Sequence, residues 1–213
     1  MRDKRTKYYD MSIEEIDNIK KEGIRPTLGI HVCCGVCASF PLEFLAPYFK
    51  VVILYSNSNI YPEKEYDRRL SELIRYVEYF NSEFNQDVEI VTFSYDNVAY
   101  NNYLAPYKDE PEGKNRCKLC YEKRMEETYK YADEKGFDYF TTVMTISRQK
   151  NSKILNSIGE KLSKKYKPKY FYSDFKKKQG IDRSRELRIK HNMYNQEYCG
   201  CVYSYNAYLK KEQ

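Results

Sequence analysis

The chain has 213 residues, 41% hydrophobic and 32% charged, with 8 glycines and 7 prolines, which excludes collagen-like and low-complexity classes and leaves room for one packed domain. No window approaches about 18 uninterrupted apolar residues, and the N-terminus lacks the apolar core of a signal peptide, so neither a membrane span nor export is expected and the location is read as cytoplasmic. The net charge of +6 is unevenly placed: Arg148 to Lys190 holds 15 Lys and Arg against 4 Asp and Glu.

Ser12 with Glu15 three positions on predicts a capping box and a short helix over roughly 12–22, stopped by Gly23. Residues 1–25 read as an N-terminal helical appendage, and 26–213 as a single domain. Thr27–Val32 is the first strand, Ala38–Phe49 a helix interrupted near Pro47, and Val51–Tyr55 a buried strand. After the polar loop Ser56–Pro62, Leu70, Leu73, Ile74, Val77 and Phe80 recur at helical spacing within a helix over 63–84. Val88–Phe93 and Phe137–Met144 are further strands, separated by a helix over 119–135. Asn151–Tyr166 reads as a helix, Lys169–Tyr172 as a short strand and Asp182–His191 as a helix. Strands alternating with helices predict an α/β fold, Rossmann-like, with a mostly parallel sheet. Ligands of such sheets bind beyond the carboxyl ends of the strands, where Cys33–Cys37, Asn57–Pro62 and Ser147–Gln149 fall.

The seven cysteines fall in three groups: Cys33, Cys34 and Cys37; Cys117 and Cys120; Cys199 and Cys201. An odd number in a chain without an export signal does not suggest a disulfide scaffold. Cys34–Cys37 alone has the spacing of a redox dithiol. Cys117, Cys120, Cys199 and Cys201 would suffice for a structural zinc, leaving the first group unexplained. An iron–sulfur cluster takes at most four protein thiolates and also leaves thiols over for a second metal or redox chemistry. The partial positive charge of a helix N-terminus after Val32 would favour thiolates in the first group. His31, just before them, is read as an interior histidine, with a ligand or supporting role as the alternative. No phosphate-binding G-x-x-x-x-G-K-[ST] loop and no G-x-G-x-x-G follow the first strand. The basic stretch interleaves Tyr166, Tyr170, Phe171, Tyr172 and Phe175, which suits a nucleic acid; a solvated lysine face is the alternative. The 24 tyrosines are accounted for by codon bias.

Taken together, His31–Cys37, Asn57–Pro62 with Glu65, Tyr66 and Arg69, and Arg116–Arg124 resemble the QueH-type epoxyqueuosine reductases. So do Thr141–Thr142 with Ser147 and Gln149, Asp174–Phe175, and Tyr194–Ser204; the resemblance runs over about residues 27–205. It implies a fold similar to the adenine-nucleotide α-hydrolases (the PP-loop class), although His31–Ser39 lacks that class's S-G-G-x-D-S phosphate loop, and ATP chemistry is not expected. It also implies reduction of epoxyqueuosine to queuosine in tRNA, the last step of queuosine formation, with a 4Fe-4S cluster, an additional iron ion and an external electron donor. On that resemblance all seven cysteines are expected as metal ligands or near-ligands, with Asp174 as a candidate that completes a site. Glu65 or Tyr66 is the expected proton donor. Asn57, Asn59, Arg69 and Gln149 are expected to hold the substrate's diol or phosphates, and the basic stretch the unstacked anticodon loop. Two other classes stand beside this: a zinc-containing RNA-binding module, and a thiol redox or sulfur-transfer enzyme acting on tRNA.

Overall fold

A computed structural model describes residues 7–212; the first six residues of the 1–25 segment lie outside the described residues. The elements are α1 (Lys7–Glu22), β1 (Thr27–His31), α2 (Gly35–Leu45), β2 (Lys50–Tyr55), α3 (Glu63–Phe84), β3 (Glu89–Thr92) and α4 (Asn97–Leu104). They continue with α5 (Asn115–Glu134), β4 (Tyr139–Thr142), α6 (Ser152–Leu162), β5 (Lys169–Tyr170), α7 (Gly180–Lys190) and α8 (Val202–Glu212).

The five strands form one sheet in the order β3-β2-β1-β4-β5. Every pairing is parallel, with Ile30 opposite Ile53 and Thr141, Ile53 opposite Ile90, and Phe140 opposite Tyr170. The Rossmann-like α/β sheet is therefore present, and it is wholly rather than mostly parallel. Helices cover both faces, which is why Val51–Tyr55 is buried at every position instead of alternating. On one face Leu28, Ile30, Val51 and Ile53 pack with Leu42 of α2, Leu73 and Val77 of α3, and Ile16 and Ile19 of α1. On the other, Val52, Leu54 and Phe140 meet Met125 and Tyr129 of α5 and Leu155 and Leu162 of α6. Glu15 of α1 also accepts from Tyr139 Oη at 2.5 Å and pairs with Lys169 at 2.6 Å.

Several boundaries differ from expectation. Ser12 is not an N-cap: the helix already runs from Lys7, and the buried Ser12 hydroxyl donates to Tyr9 O at 2.6 Å, the back-bond a serine makes inside a helix. α2 starts at Gly35, because Cys34 caps it by accepting from Cys37 N. α5 begins four residues early, at Asn115. α4 and α8 were not expected at all.

β1 lies between β2 and β4, so its connections to the two halves of the sheet leave in opposite directions and open a crevice at the carboxyl ends. The turn carrying Cys33 and Cys34 follows β1 directly at that point, and Cys37 stands in the first turn of α2.

The second face is packed tightly enough to test. A Cβ on Gly159 of α6 would fall 2.1 Å from the buried Tyr170 ring. Alanine inside a helix normally gains up to about 1 kcal/mol over glycine. Here Gly159→Ala is expected to destabilise by about 1–3 kcal/mol in urea unfolding, and a stabilised variant would contradict the close approach of α6 to β5.

Candidate metal and redox site

The Sγ atoms of Cys33, Cys34 and Cys37 all lie within 4.8 Å of one another, and Cys33 and Cys34 are buried. None of the seven cysteines is in a disulfide. At a metal–sulfur distance of about 2.3 Å, thiolates on a tetrahedral ion sit roughly 3.8 Å apart, so this group can bind a metal ion. Hydrogen bonds from Cys34 and Cys37 hold the Cys33 thiol well below its ordinary pKa, against burial, and the charges of Lys150 and Arg124 add to the effect. The same contacts raise Cys34 and Cys37, each through its hydrogen bond to Cys33 first and burial besides.

Cys117, Cys120, Cys199 and Cys201 line a single cavity of about 120 Å³. Cys117 and Cys120 reach it from the first turns of α5, three residues apart and so on one helix face. Gly113 N donates to Cys117 Sγ at 3.2 Å, and Tyr100 Oη to Cys120 O at 3.0 Å. Cys199 and Cys201 flank Gly200, whose φ of 126° is open to glycine and whose Cβ position lies 3.0 Å from Arg69 Nη1. Burial pushes the Cys117 and Cys201 thiols up. Asn59 also lines this cavity; its Oδ1 is buried without a hydrogen-bond partner among the described residues. A buried acceptor left unpaired costs about 1–3 kcal/mol, so this wall suits a bound group that donates. Four thiols on one cavity wall beside buried cations are a donor set that a metal centre could use.

Arg69 holds the segment that carries Cys199. Only 1% exposed, it pairs with Glu65 at 2.7 Å and donates to Cys199 O and Tyr198 O, both at 3.1 Å. Glu65 in turn accepts from Tyr194 Oη at 3.0 and 2.9 Å. Tyr61 N donates to Gly200 O at 2.7 Å, and Tyr198 Oη to Tyr61 O at 2.7 Å. Helix α3 and the turn before it thus fasten residues 194–200 over the sheet edge.

Two cations feel both cysteine groups. Burial opposes the charge on Arg124, yet Cys120, Tyr100, Cys33 and Cys199 raise its pKa. Desolvation likewise opposes the charge on Lys150, and Cys199 and Cys33 outweigh it. Lys150 lines a second cavity of about 660 Å³ together with Tyr121, Gln149, Tyr198 and Cys199. Tyr121 lines both this and the four-cysteine cavity, and burial raises its hydroxyl pKa.

The sequence candidates are placed as follows. Asn57 Nδ2 donates to Val32 O at 2.8 Å, beside Cys33, and its Oδ1 is a buried acceptor without a partner among the described residues. Tyr66 packs on Tyr55 and Tyr95, and its main-chain carbonyl accepts from Tyr55 Oη at 3.2 Å. Asp174 accepts from Ser152 Oγ at 2.8 Å and lies 3.5 Å from Lys176 Nζ, in a further cavity of about 470 Å³. The exposed Gln149 lines that cavity and the 660 Å³ one. His31 is an interior residue: Nδ1 is 3.0 Å from Thr142 Oγ1, and burial, then Arg124, lowers its pKa to about 3. Tyr121, Arg124 and Lys150 were not singled out from sequence. The first two sit in the quoted motif around Cys117 and Cys120, and Lys150 follows Gln149 directly.

A sequence model of the family described as "Epoxyqueuosine reductase QueH" matches residues 28–207. A protein named epoxyqueuosine reductase QueH from Streptococcus pyogenes serotype M1 is 38% identical over 197 residues, covering 92% of this chain and 77% of its own. The Staphylococcus aureus (strain Mu50) protein of the same name is 37% identical over 199 residues, covering 92% and 83%. That of Thermotoga maritima is 31% identical over 186 residues, covering 84% and 90%.

The Arg69 clamp has a measurable signature. Arg69→Met leaves the Glu65 carboxylate buried without its cation and is expected to cost about 3–5 kcal/mol in chemical unfolding. Arg69→Met with Glu65→Leu should be less damaging than Arg69→Met alone. A single-variant cost below about 1 kcal/mol would mean that the pair is solvated and holds nothing.

Proposed function

The chain belongs to the epoxyqueuosine reductase QueH family and is an oxidoreductase of queuosine biosynthesis; from that premise we propose that it deoxygenates epoxyqueuosine in tRNA with a 4Fe-4S cluster and a second iron held by its seven cysteines. The observation that carries this reading is the gathering of all seven thiols at one sheet edge, three in one group and four around one cavity, with Arg124 and Lys150 acting on both. The lowered Cys33 thiol favours the buried cations, and a bound iron centre would ionise the remaining thiols. Among the described residues no helix is long and apolar enough to cross a membrane.

The reaction breaks two C–O bonds, forms one C=C bond and releases the oxygen as water. It consumes two electrons, from an external donor, and two protons. Bound iron supplies one-electron transfer and an electrophile for the oxygen.

The chain's own residues do the rest. Asn59 offers a buried acceptor on the cavity wall to a hydroxyl group of the substrate's ring, and Asn57 supports that turn from Val32 O. Tyr121, kept protonated by burial, donates from Oη to the departing oxygen. Lys150, kept charged by the thiols, stabilises negative charge beside it. Glu65 and Arg69 position Cys199, Tyr66 supports the Tyr55 wall, and Gln149 stands at the rim of the larger cavity. Asp174 fixes Lys176 on the neighbouring cavity.

Protein purified without oxygen should carry about four acid-labile sulfides and four to five irons per chain, and should turn over epoxyqueuosine-containing tRNA when given a reductant. Stoichiometric zinc without sulfide, persisting after anaerobic reconstitution, would replace this reading with the zinc-module one. Tyr121→Phe is expected to keep its iron and lose about 10²-fold or more in turnover; unchanged turnover would remove Tyr121 as the proton donor.

A further inference from the structure

Part of the charge in the basic stretch from Arg148 to Lys190 is already paired. Lys161 pairs with Glu122 at 2.5 Å, Lys165 with Glu126 at 2.5 Å, and Lys169 with Glu15 at 2.6 Å. Arg183 pairs with Glu43 at 2.8 Å and Glu186 at 3.0 Å. These cations are neutralised by acidic side chains from α1, α2, α5 and α7 and form an ordinary solvated face.

Arg148, Lys150 and Lys153 differ: none makes an ion pair with a carboxylate among the described residues. They line the 470 Å³ cavity together with Lys176, and among the described residues Asp174 is the one carboxylate on its wall. Asp174 is already engaged, accepting from Ser152 Oγ at 2.8 Å and lying 3.5 Å from Lys176 Nζ. Lys176 is fixed besides by donating to Ser152 Oγ at 2.5 Å and Lys150 O at 3.0 Å. Four cations facing one committed carboxylate repel one another, and an anion relieves that repulsion. The N-terminus of the 11-residue α6 opens on the same cavity through Ser152 and Lys153, adding its partial positive charge.

Position gives the anion its identity. Gln149 and Lys150 line both this cavity and the 660 Å³ cavity that reaches Cys199 and Tyr121. A ligand whose reacting group sits by Cys199 therefore has its adjoining backbone over Arg148 and Lys153. We propose that the cleft formed by Arg148, Lys153 and Lys176 is a phosphodiester-binding subsite, holding the RNA backbone next to the nucleotide whose base enters the cysteine-lined cavity. This rests on the reductase reading for the identity of the base, and on the unpaired cations for the phosphate.

The test compares two variants of the full chain that lower net charge equally. Arg148→Gln with Lys153→Gln removes cations from the cleft; Lys161→Gln with Lys165→Gln removes two that are already paired. Binding of a fluorescein-labelled anticodon stem–loop RNA is followed by anisotropy between about 50 and 200 mM salt. The cleft pair is expected to raise Kd tenfold or more at the lower salt and to make the slope of log K against log salt shallower by about 1 to 2. The paired-lysine control should stay within twofold. Equal weakening by both pairs would reduce the effect to net charge and overturn the subsite, as would wild-type binding by the cleft pair. Turnover of epoxyqueuosine tRNA separates the two readings. If the wild-type chain reduces it while the cleft pair binds RNA normally, the subsite alone falls. If the wild-type chain fails to reduce it while the cleft pair loses RNA and the control does not, the reductase reading falls and the subsite stands. With both intact, the cleft pair raises KM and leaves kcat within about twofold.

Discussion

The geometry of the site hangs on one buried guanidinium. Arg69 is a charged side chain on an otherwise amphipathic α3, yet it is 1% exposed. Such burial is sustained only because every side of the fork is answered: Glu65 takes Nε, and the carbonyls of Cys199 and Tyr198 take the terminal nitrogens. The residues it joins are 129 and 130 positions away in the chain. Without it the segment 194–201 would lose its two main-chain ties to α3, on either side of the Cys199 position. Gly200 is the matching constraint, since a side chain there would strike Arg69 Nη1.

Given that clamp, the chemistry of the crevice follows from charge. Buried thiols are normally held protonated, as Cys117 and Cys201 are pushed to be. Cys33 departs from that rule, because Cys34 and Cys37 donate hydrogen bonds to it and Arg124 and Lys150 lie near, while its two neighbours are pushed up in turn. The cations gain as well: each is retained in a desolvated place by sulfur on both sides. Arg124 and Lys150 thus link the two cysteine groups electrostatically.

The sequence makes the sheet and its carboxyl-edge loops legible, since period and burial are local properties. The Glu63–Phe84 helix appears at the expected bounds because its apolar stripe is unbroken. Elsewhere the boundaries moved where a side chain from the site itself set them. Cys34 caps α2, and α5 starts early enough to put Cys117 and Cys120 on one helix face. α4 and α8 escaped notice because their faces carry Asn, Tyr and Lys with little apolar stripe to mark them. Asn57 and Asn59 were marked as candidates by their place after a strand, and both are buried there. That Glu65 would be occupied by Arg69 and Tyr194 was not, because Tyr194 stands 129 residues away.

The basic stretch illustrates the same limit in electrostatics. A local excess of lysine and arginine cannot distinguish a nucleic-acid surface from a solvated face, because the answer lies with carboxylates supplied by other elements. Glu122 and Glu126 come from α5, Glu15 from α1 and Glu43 from α2, and each cancels a charge that the local count treats as free. Once these are subtracted, unpaired cations still stand at several points of the stretch, and three of them, Arg148, Lys150 and Lys153, share one cavity where β4 hands over to α6, next to the crevice that the switch in strand order creates. The fold thus concentrates uncompensated positive charge beside its reactive thiols. Such an arrangement draws in a polyanion and presents one of its bases to the sulfur-lined cavity.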